Sequence, residues 1–269
     1  MGKIVAIGGG EMKLGETTDI DREIIRLTGK KQPRLLFLPT ASNDAITYYD
    51  SIKQHFGKEL GCKTDVLFLI MDKPKLKEIE KKILSADAVY VGGGNTEKMM
   101  RVWRRTGAAQ VLKQAYDKGI ILSGISAGAI CWFRWGNSDS RILAGTSNNL
   151  IRVSGLDLVH ALYCPHFDAE PQRQMSLKAM MVKTPGIVIA VDNCCAIEIV
   201  DEMYRIISTK PSANAYRIFW KPGTYHKKVI SKRKEFRPLS HLLSKWALIE
   251  AQYRRIQFDL ENPPISTIR

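Results

Sequence analysis

Short apolar runs alternate with amphipathic stretches through the first half of the chain. The runs are rich in leucine and β-branched residues and hardly alternate between apolar and polar positions, which is typical of strands in a parallel sheet covered on both faces. Five strands are predicted in this way: Lys3–Ile7, Arg34–Pro39, Asp65–Ile70, Ala88–Val91 and Ile120–Leu122.

The stretches between these strands have helical periodicity. Apolar side chains recur near a spacing of 3.6 residues over Thr47–Leu60 and Leu76–Leu84, and Met99–Gly119 predicts one or two helices broken near Gly107. Strands that alternate with helices imply right-handed crossovers. We therefore expect an α/β fold, with a doubly wound, mostly parallel sheet and helices on both faces.

The second half of the chain has shorter and more polar segments. Beyond Lys221 it becomes more basic, and apolar residues return at helical spacing between Leu239 and Ile249. We expect an α/β domain over residues 1–220 and a basic, partly helical C-terminal extension over residues 221–269, which either docks on the core or pairs with a second chain as a homodimer. Four strands are predicted before the extension: Ile187–Val191, Ala196–Val200, Tyr204–Ser208 and Tyr216–Trp220.

Composition narrows the cellular context. No apolar stretch approaches the roughly 18 residues of a membrane span, and the first ten residues lack the features of a secretory signal. The five cysteines, an odd number, favour reduced thiols. We expect a cytoplasmic protein without membrane contact. Because no residues have metal-ligand spacing, we expect neither a metal nor another cofactor.

The net charge of +14 raises the question of nucleic acid. Residues 221–269 carry eleven basic and four acidic side chains, half of the net charge, and the densest run is Lys227–Lys234. Such a run could contact nucleic acid or another anionic surface. It is more often a solvated surface, and no nucleic-acid motif accompanies it, so nucleic acid is not the expected partner.

Small and polar residues follow four of the predicted strands. Ligands of open α/β sheets bind beyond the carboxyl ends of the strands, where such residues allow close approach. Neither glycine-rich turn has the spacing of a phosphate-binding loop or a dinucleotide fingerprint, which argues against nucleotide binding. The four strand ends are Gly8-Gly9-Gly10, Pro39-Thr40-Ala41-Ser42-Asn43, Gly92-Gly93-Gly94-Asn95-Thr96 and Ser126.

The fifth strand leads directly into Gly124-Ile125-Ser126-Ala127-Gly128 and then into a run of small residues. A serine at a sharp turn from strand to helix is typical of a nucleophile elbow. A serine nucleophile needs a base, and His166 follows an apolar run and Pro165, which suits a histidine presented at a strand end. His160 lies within the preceding apolar run and is its rival.

These residues resemble the peptidase E and cyanophycinase-like serine peptidases, whose fold is like that of class I glutamine amidotransferases. The resemblance implies that Ser126 is the nucleophile, that His166 is its base, and that the backbone N–H groups of Gly94 and Ala127 form the oxyanion hole. It covers about residues 3–220 and rests on Ala6-Ile7-Gly8-Gly9-Gly10, Phe37-Leu38-Pro39-Thr40-Ala41, Val91-Gly92-Gly93-Gly94-Asn95-Thr96, Gly124-Ile125-Ser126-Ala127-Gly128-Ala129 and Cys164-Pro165-His166-Phe167-Asp168.

The third catalytic residue stays open. Some relatives are assigned an aspartate that falls at Asp139, and others a glutamate whose place is taken here by Asn193. An asparagine can orient an imidazole through its side-chain carbonyl. Asn193 and Asp139 rank level as candidates, with Asp192 behind them.

The resemblance also implies a substrate class. Such relatives include dipeptidases that favour an N-terminal aspartate, whose carboxylate an arginine would bind well. Arg173 is the candidate, Arg134 is the second choice, and Asn95 is a further substrate-binding candidate. The expected function is that of a serine exopeptidase that hydrolyses small peptides, including Asp-X dipeptides, through an acyl-enzyme.

Two other functions fit parts of the pattern. An esterase of the α/β-hydrolase type would have an acid and then a late histidine after the serine, whereas His166 follows Ser126 by only forty residues. A catalytically impaired protein that binds peptides or anions on the same scaffold is the non-enzyme alternative, and Asn193 is the residue that favours it.

Overall fold

Two β-sheets organise the chain in its computed structural model, which describes residues 2–183, 186–221 and 224–244. In the larger sheet, the neighbouring strands β1, β5, β4, β2 and β3 run parallel, and β10, β11 and β14 extend it antiparallel beyond β1. Side by side, its strands are β14 (Arg237–Pro238), β11 (Met203–Ser208), β10 (Cys195–Val200), β1 (Lys3–Ile7), β5 (Ile121–Ile125), β4 (Ala88–Val91), β2 (Arg34–Leu38) and β3 (Lys63–Val66).

The smaller sheet was not predicted from the sequence as a separate unit. Its three central strands, β6, β8 and β9, run parallel, and β7, β12 and β13 flank them antiparallel. In order, the strands are β13 (Thr224–Ile230), β12 (Ala215–Lys221), β9 (Ile187–Val191), β8 (Val159–Cys164), β6 (Phe133–Ser138) and β7 (Ile151–Ser154).

Nine helices lie in the described part of the chain. They are α1 (Thr18–Leu27), α2 (Ile46–Ile52), α3 (Leu76–Leu84), α4 (Thr96–Thr106), α5 (Ala108–Asp117), α6 (Ala127–Ile130), α7 (Ser140–Leu143), α8 (Pro171–Lys183) and α9 (Ser240–Leu243).

The alternation of β1 shows how the larger sheet is covered on both faces. Ile4 and Ala6 belong to a buried cluster that includes residues of α3, α4 and α5. Val5 and Ile7 belong to a second cluster that includes residues of α1 and α2. This α/β architecture, a mostly parallel sheet between two helical layers, is the one that the sequence predicts.

Several predicted elements differ in their bounds. The strand expected over Asp65–Ile70 is β3, which ends at Val66; beyond it, the N–H groups of Ile70 and Met71 donate to the Asp44 carboxylate instead of to a neighbouring strand. The helix expected over Thr47–Leu60 is α2 followed by a π-helical turn over Lys53–Glu59.

Other predictions from the sequence agree closely with the structure. Gly107, with a φ of 83°, separates α4 from α5 at the expected break. The four strands predicted from Ile187 onwards are β9, β10, β11 and β12, each within one residue at either end. Apolar runs bounded by turns were therefore sufficient to find these strands.

The predicted C-terminal extension contributes to both sheets. β13 forms a hairpin with β12, and β14 pairs with β11. The first part of the basic run Lys227–Lys234 thus lies on a strand, while Trp246, Ile249 and the rest of residues 245–269 lie outside the described part of the chain. Among the described residues, no helix combines the length and apolar character that crossing a membrane requires.

A buried charge in β10 depends on a partner from the neighbouring strand. Glu198 is fully buried, and Arg205 Nε on β11 lies 2.7 Å from its Oε2 atom. Arg205 Nη2 also lies 2.7 Å from Glu23 Oε1 on α1. One guanidinium therefore ties a helix to the sheet through two carboxylates.

We predict that Arg205→Met destabilises the fold strongly. The substitution leaves the Glu198 carboxylate buried without its partner, and such a loss costs about 3–5 kcal/mol. Urea unfolding of Arg205→Met and the wild type measures the difference in free energy of unfolding.

The control is Arg22→Met. Arg22 pairs with Asp19 on the surface of α1, where both side chains are more than 60% exposed, and such pairs contribute at most about 1 kcal/mol. Equal effects of the two substitutions would contradict the argument.

Candidate active site

Ser126 lies at the sharp turn between β5 and α6. Its φ of 56° and ψ of −113° are unusual for a residue with a side chain, and such backbone strain costs about 1–3 kcal/mol at functional sites. Its N–H donates to the carbonyl of Ile7 at 3.1 Å. This turn presents the hydroxyl beyond the carboxyl edge of the larger sheet.

The glycines around Ser126 are required by close backbone contacts. A Cβ atom on Gly124 would lie 2.4 Å from the Gly128 carbonyl oxygen, and one on Gly128 would lie 2.1 Å from that of Val91. The Gly-x-Ser-x-Gly pattern therefore lets α6 leave the sheet directly against β4 and β5.

Ser126, His166 and Asn193 form one row of hydrogen bonds. His166 follows β8, and its Nε2 atom lies 2.8 Å from Ser126 Oγ. Its Nδ1 atom lies 2.7 Å from Asn193 Oδ1 in the turn after β9. Because an amide oxygen only accepts, Nδ1 carries the proton, and Nε2 is left to accept the proton of the serine.

The end of β1 holds all three parts of this row. The successive carbonyls of Ile7, Gly8 and Gly9 accept the backbone N–H groups of Ser126, His166 and Cys194, at 3.1, 3.1 and 2.8 Å. Cys194 directly follows Asn193. Three turns from distant parts of the sequence are thereby bonded to three consecutive residues.

Gly9 leaves no room for a side chain beside this row. A Cβ atom at this position would lie 2.0 Å from Asn193 Oδ1 and 2.3 Å from His166 Nδ1. The absence of a side chain at Gly9, in the first glycine-rich turn, therefore allows the hydrogen bond between His166 and Asn193 to form.

The environment of His166 keeps its imidazole neutral. Burial lowers the pKa of His166, and the positive charge of Arg173 lowers it further, against the opposing effects of the Asn193 hydrogen bond, Glu170 and Asp139. A neutral imidazole is the form that can accept a proton.

Two backbone N–H groups beside Ser126 lack acceptors. Within the described ranges, neither the N–H of Gly94 nor that of Ala127 has a hydrogen-bond partner. The turn after β4 lies close to the serine, since a Cβ atom on Gly93 would be 3.5 Å from Ser126 Cβ. Free donors beside a nucleophile can stabilise an oxyanion.

The side chains of Asp139 and Asp192 are engaged elsewhere. Asp139 lies at the start of α7, with Oδ2 3.4 Å from Arg173 Nη2. The Oδ2 atom of Asp192 accepts the Asn214 backbone N–H at 2.8 Å. Of the three candidates for orienting His166, Asn193 is the one in contact with the imidazole.

The three residues considered for substrate binding also have partners. Arg173 is only 1% exposed. Asn95 caps α4 by accepting the Lys98 N–H, and its amide donates to the Ser140 carbonyl. Arg134 lies on β6, with its Nε atom 3.9 Å from Asp157 Oδ2, away from the turns that carry the hydrogen-bonded row.

His160, the rival base, also lies beside Asp157, with 3.3 Å between Nδ1 and Oδ1. In the described part of the chain, no group of three or more histidine, cysteine, aspartate or glutamate residues could hold a metal ion. The site thus consists of a hydroxyl, a neutral imidazole and two free N–H groups, which suit acyl transfer.

The sequence did not predict that the Arg173 side chain is buried within the protein. The signal was present, since Glu170 and Arg173 are three residues apart at the start of a helix, a spacing that favours an ion pair. Sequence reasoning also missed the Tyr48 hydroxyl, 3.4 Å from the N–H of Gly93, and no pattern in the sequence connects these two residues.

Comparison with known proteins places this geometry in context. The model of peptidase family S51 matches residues 4–207. An uncharacterized peptidase of Bacillus subtilis strain 168, YgaJ, is 32% identical over 221 residues, which cover 81% of this chain and 92% of the relative. Peptidase E of Nostoc sp. strain PCC 7120 is 24% identical over 70% of this chain and 78% of its own length.

A solved structure has the same fold. The crystal structure of a peptidase from an acI-B1 actinobacterium superposes with a TM-score of 0.67 at 17% identity, over 88% of this chain and 97% of its own. The likeness extends beyond the family match and includes most of the described residues.

We predict that a fluorophosphonate reagent labels Ser126 and that labelling persists in mildly acidic solution. Because the pKa of His166 is lowered from its ordinary value of 6.5, the imidazole remains a competent base below that pH. The labelling rate should therefore be half-maximal below pH 6.5. Mass spectrometry of the labelled protein across pH measures this midpoint.

Two variants are the controls for this labelling. Ser126→Ala should not react, and His166→Gln should react roughly a thousandfold more slowly, because the serine has lost its base. A midpoint at or above pH 6.5 in the wild type would contradict the electrostatic argument.

Proposed function

The chain belongs to peptidase family S51, and on this basis we propose that it is a serine-type peptidase that hydrolyses small peptides, with Ser126 as nucleophile and His166 as general base. The observation that carries the proposal is the hydrogen-bonded row of Ser126, His166 and Asn193, with 2.8 and 2.7 Å between successive partners. Each atom of this row has the role that acyl transfer requires.

In the proposed mechanism, His166 Nε2 accepts the Ser126 proton while Oγ attacks the peptide carbonyl carbon. The negative oxygen of the tetrahedral intermediate is stabilised by the N–H groups of Gly94 and Ala127. The imidazolium then gives its proton to the peptide nitrogen, and the C–N bond breaks. Water, deprotonated by His166, then attacks the ester carbonyl carbon. The imidazolium protonates Ser126 Oγ as the ester C–O bond breaks, which releases the acid and restores the enzyme.

Asn193 has an orienting role in this scheme. Its side-chain oxygen fixes the His166 tautomer, as the hydrogen bond of 2.7 Å supports. An amide carries no charge, so it stabilises the imidazolium less than a carboxylate would. We propose that the enzyme has a neutral third residue and turns over more slowly for that reason.

The preference for short peptides and exopeptidase action is part of this proposal. It rests on the resemblance to dipeptidases and on the peptidase names of the relatives. The proposal does not include a preference for Asp-X dipeptides based on Arg173. This arginine, which was expected to bind the aspartate side chain, is 1% exposed and already paired. We also propose a cytoplasmic location, which the five free and buried cysteines support.

A second candidate function follows from Asn193. If the missing negative charge prevents turnover, the same cleft would bind peptides without cleaving them. The neutral imidazole of His166 and its direct contact with Ser126 favour the enzyme.

We predict that Asn193→Ala lowers kcat by roughly 10²–10⁴-fold with little change in KM, because the tautomer of His166 is no longer fixed. Asn193→Asp should keep or raise kcat, because it keeps the acceptor and adds a negative charge. A panel of dipeptides with acidic, neutral and basic first residues measures both constants.

Asn149→Ala is the matched control, because this asparagine is exposed and its backbone N–H bonds within its own loop. Ser126→Ala should abolish hydrolysis. If Asn193→Ala is as active as the wild type, Asn193 does not orient His166. If the wild type hydrolyses none of the dipeptides, the result favours a protein that binds peptides without cleaving them.

A further inference from the structure

Arg173 is the most deeply enclosed charged side chain near the catalytic row. It lies in the first turn of α8, seven residues after His166, and is 1% exposed. A receptor for a substrate carboxylate has to present its N–H groups to the cleft. Burial of this degree does not allow it.

Nη1 and Nη2 of Arg173 donate hydrogen bonds within the protein, whereas Nε has no hydrogen-bond partner among the described residues and is held only as an ion pair with Glu170. Nε lies 2.7 Å from Glu170 Oε2, and Nη2 lies 3.3 Å from Glu170 Oε1 and 3.4 Å from Asp139 Oδ2. Nη1 donates to the Asn137 carbonyl at 2.9 Å. A substrate carboxylate would have to displace two carboxylates of the protein to bind this guanidinium.

The partners of Arg173 connect the two halves of the site. The N–H of Glu170 donates to the His166 carbonyl at 3.1 Å, which closes the turn that carries the base. On the other side, Asp139 precedes Ser140, whose carbonyl accepts the side-chain amide of Asn95. Asn95 directly follows Gly94. Arg173 therefore ties the turn of His166 to the segment that supports the oxyanion turn.

The accessible charges of this cluster are negative. Asp139 and Glu170 each expose 30% of their side chains, whereas Arg173 exposes 1%. One guanidinium between two carboxylates leaves a net charge of −1. An acidic substrate side chain near this rim meets repulsion, and a neutral or basic one does not.

We propose that Arg173 is a positioning residue that fixes the turn of His166 against the end of β6, and that the enzyme prefers a neutral or basic N-terminal residue to aspartate. The inference rests on the proposed peptidase function and names its substrate class. The charged groups that face His166 are Arg173 and Glu170 at the start of α8 and Asp139 before α7, while Asn193 on the opposite side is neutral.

The experiment compares Asp-Leu, Ala-Leu and Lys-Leu as substrates of the wild type and Arg173→Met. We expect the wild type to favour Ala-Leu and Lys-Leu. In Arg173→Met, kcat should fall roughly 10- to 100-fold, because the base is no longer held in place. The ratio of kcat/KM for Asp-Leu to that for Ala-Leu should fall further, because loss of the guanidinium leaves the two carboxylates with a net charge of −2.

The pH profile separates positioning from a merely structural role. Removal of the positive charge should raise the apparent pKa on the acidic limb of kcat/KM, so that the activity at pH 6 relative to pH 8 falls. Arg173→Lys keeps the charge and should show a smaller shift. Arg141→Met is the matched control, because Arg141 is an exposed arginine of α7 that pairs with Glu97 of α4.

If Arg173→Met does not fold, the carboxylates test the same charge argument. Glu170→Gln and Asp139→Asn each remove one negative charge from the rim, and kcat/KM for Asp-Leu relative to Ala-Leu should rise about fivefold. A ratio that stays constant or falls would contradict it.

A wild type that favours Asp-Leu, with a selective rise in KM for this substrate in Arg173→Met, would overturn the inference and make Arg173 the carboxylate receptor. Fluorophosphonate labelling of Ser126 measures the positioning role without a peptide. If the protein labels but cleaves no peptide, the proposed function fails, and the shift in the labelling profile of Arg173→Met still decides the role of Arg173.

Discussion

The hydrogen-bonded row of Ser126, His166 and Asn193 depends on three consecutive backbone carbonyls, that of Ile7 at the end of β1 and those of Gly8 and Gly9 directly after it. Ile7, Gly8 and Gly9 accept the N–H groups of Ser126, His166 and Cys194, and each of these bonds fixes a turn from a different region of the chain. Because these carbonyls lie at the end of a central strand and directly after it, the positions of hydroxyl, imidazole and amide follow from where β1 ends. The bare Gly9 completes this arrangement by leaving the imidazole and Asn193 in contact.

A neutral Asn193 beside His166, where a carboxylate could also accept the Nδ1 proton, affects the electrostatics of the site more than its geometry. The hydrogen bond to His166 Nδ1 is present at 2.7 Å, so the orientation and tautomer are kept. Burial and Arg173 both lower the pKa of His166, and Glu170 and Asp139 oppose this shift without contacting the ring; among the described residues, no carboxylate is hydrogen-bonded to the imidazole. These effects favour a neutral imidazole in the resting protein. In the proposed mechanism, the imidazolium is stabilised less than it would be beside a carboxylate.

Local patterns predicted the elements that are defined by local chemistry. The elbow at Ser126, the break at Gly107 and the later strands from β9 to β12 follow from apolar runs, glycines and turns that are close together in the sequence. The smaller sheet was not predicted as a separate sheet, because β6 and β7 are short and carry polar residues, so no apolar run marks them, and the local pattern does not specify which strands pair. The sequence also led to Arg173 being predicted as a substrate-binding residue, because an arginine binds carboxylates well. Only the fold shows that its guanidinium already pairs with Glu170 and Asp139.

The bonds to the carbonyls of Ile7, Gly8 and Gly9 also determine when the site comes into existence. Gly9 and Cys194, which the last of these bonds joins, are more than 180 residues apart in the sequence. Contacts of such long sequence separation form late in folding. A partly folded chain therefore holds Ser126 without His166 and Asn193 beside it, and the hydrogen-bonded row forms only when the strands that carry these turns are in place.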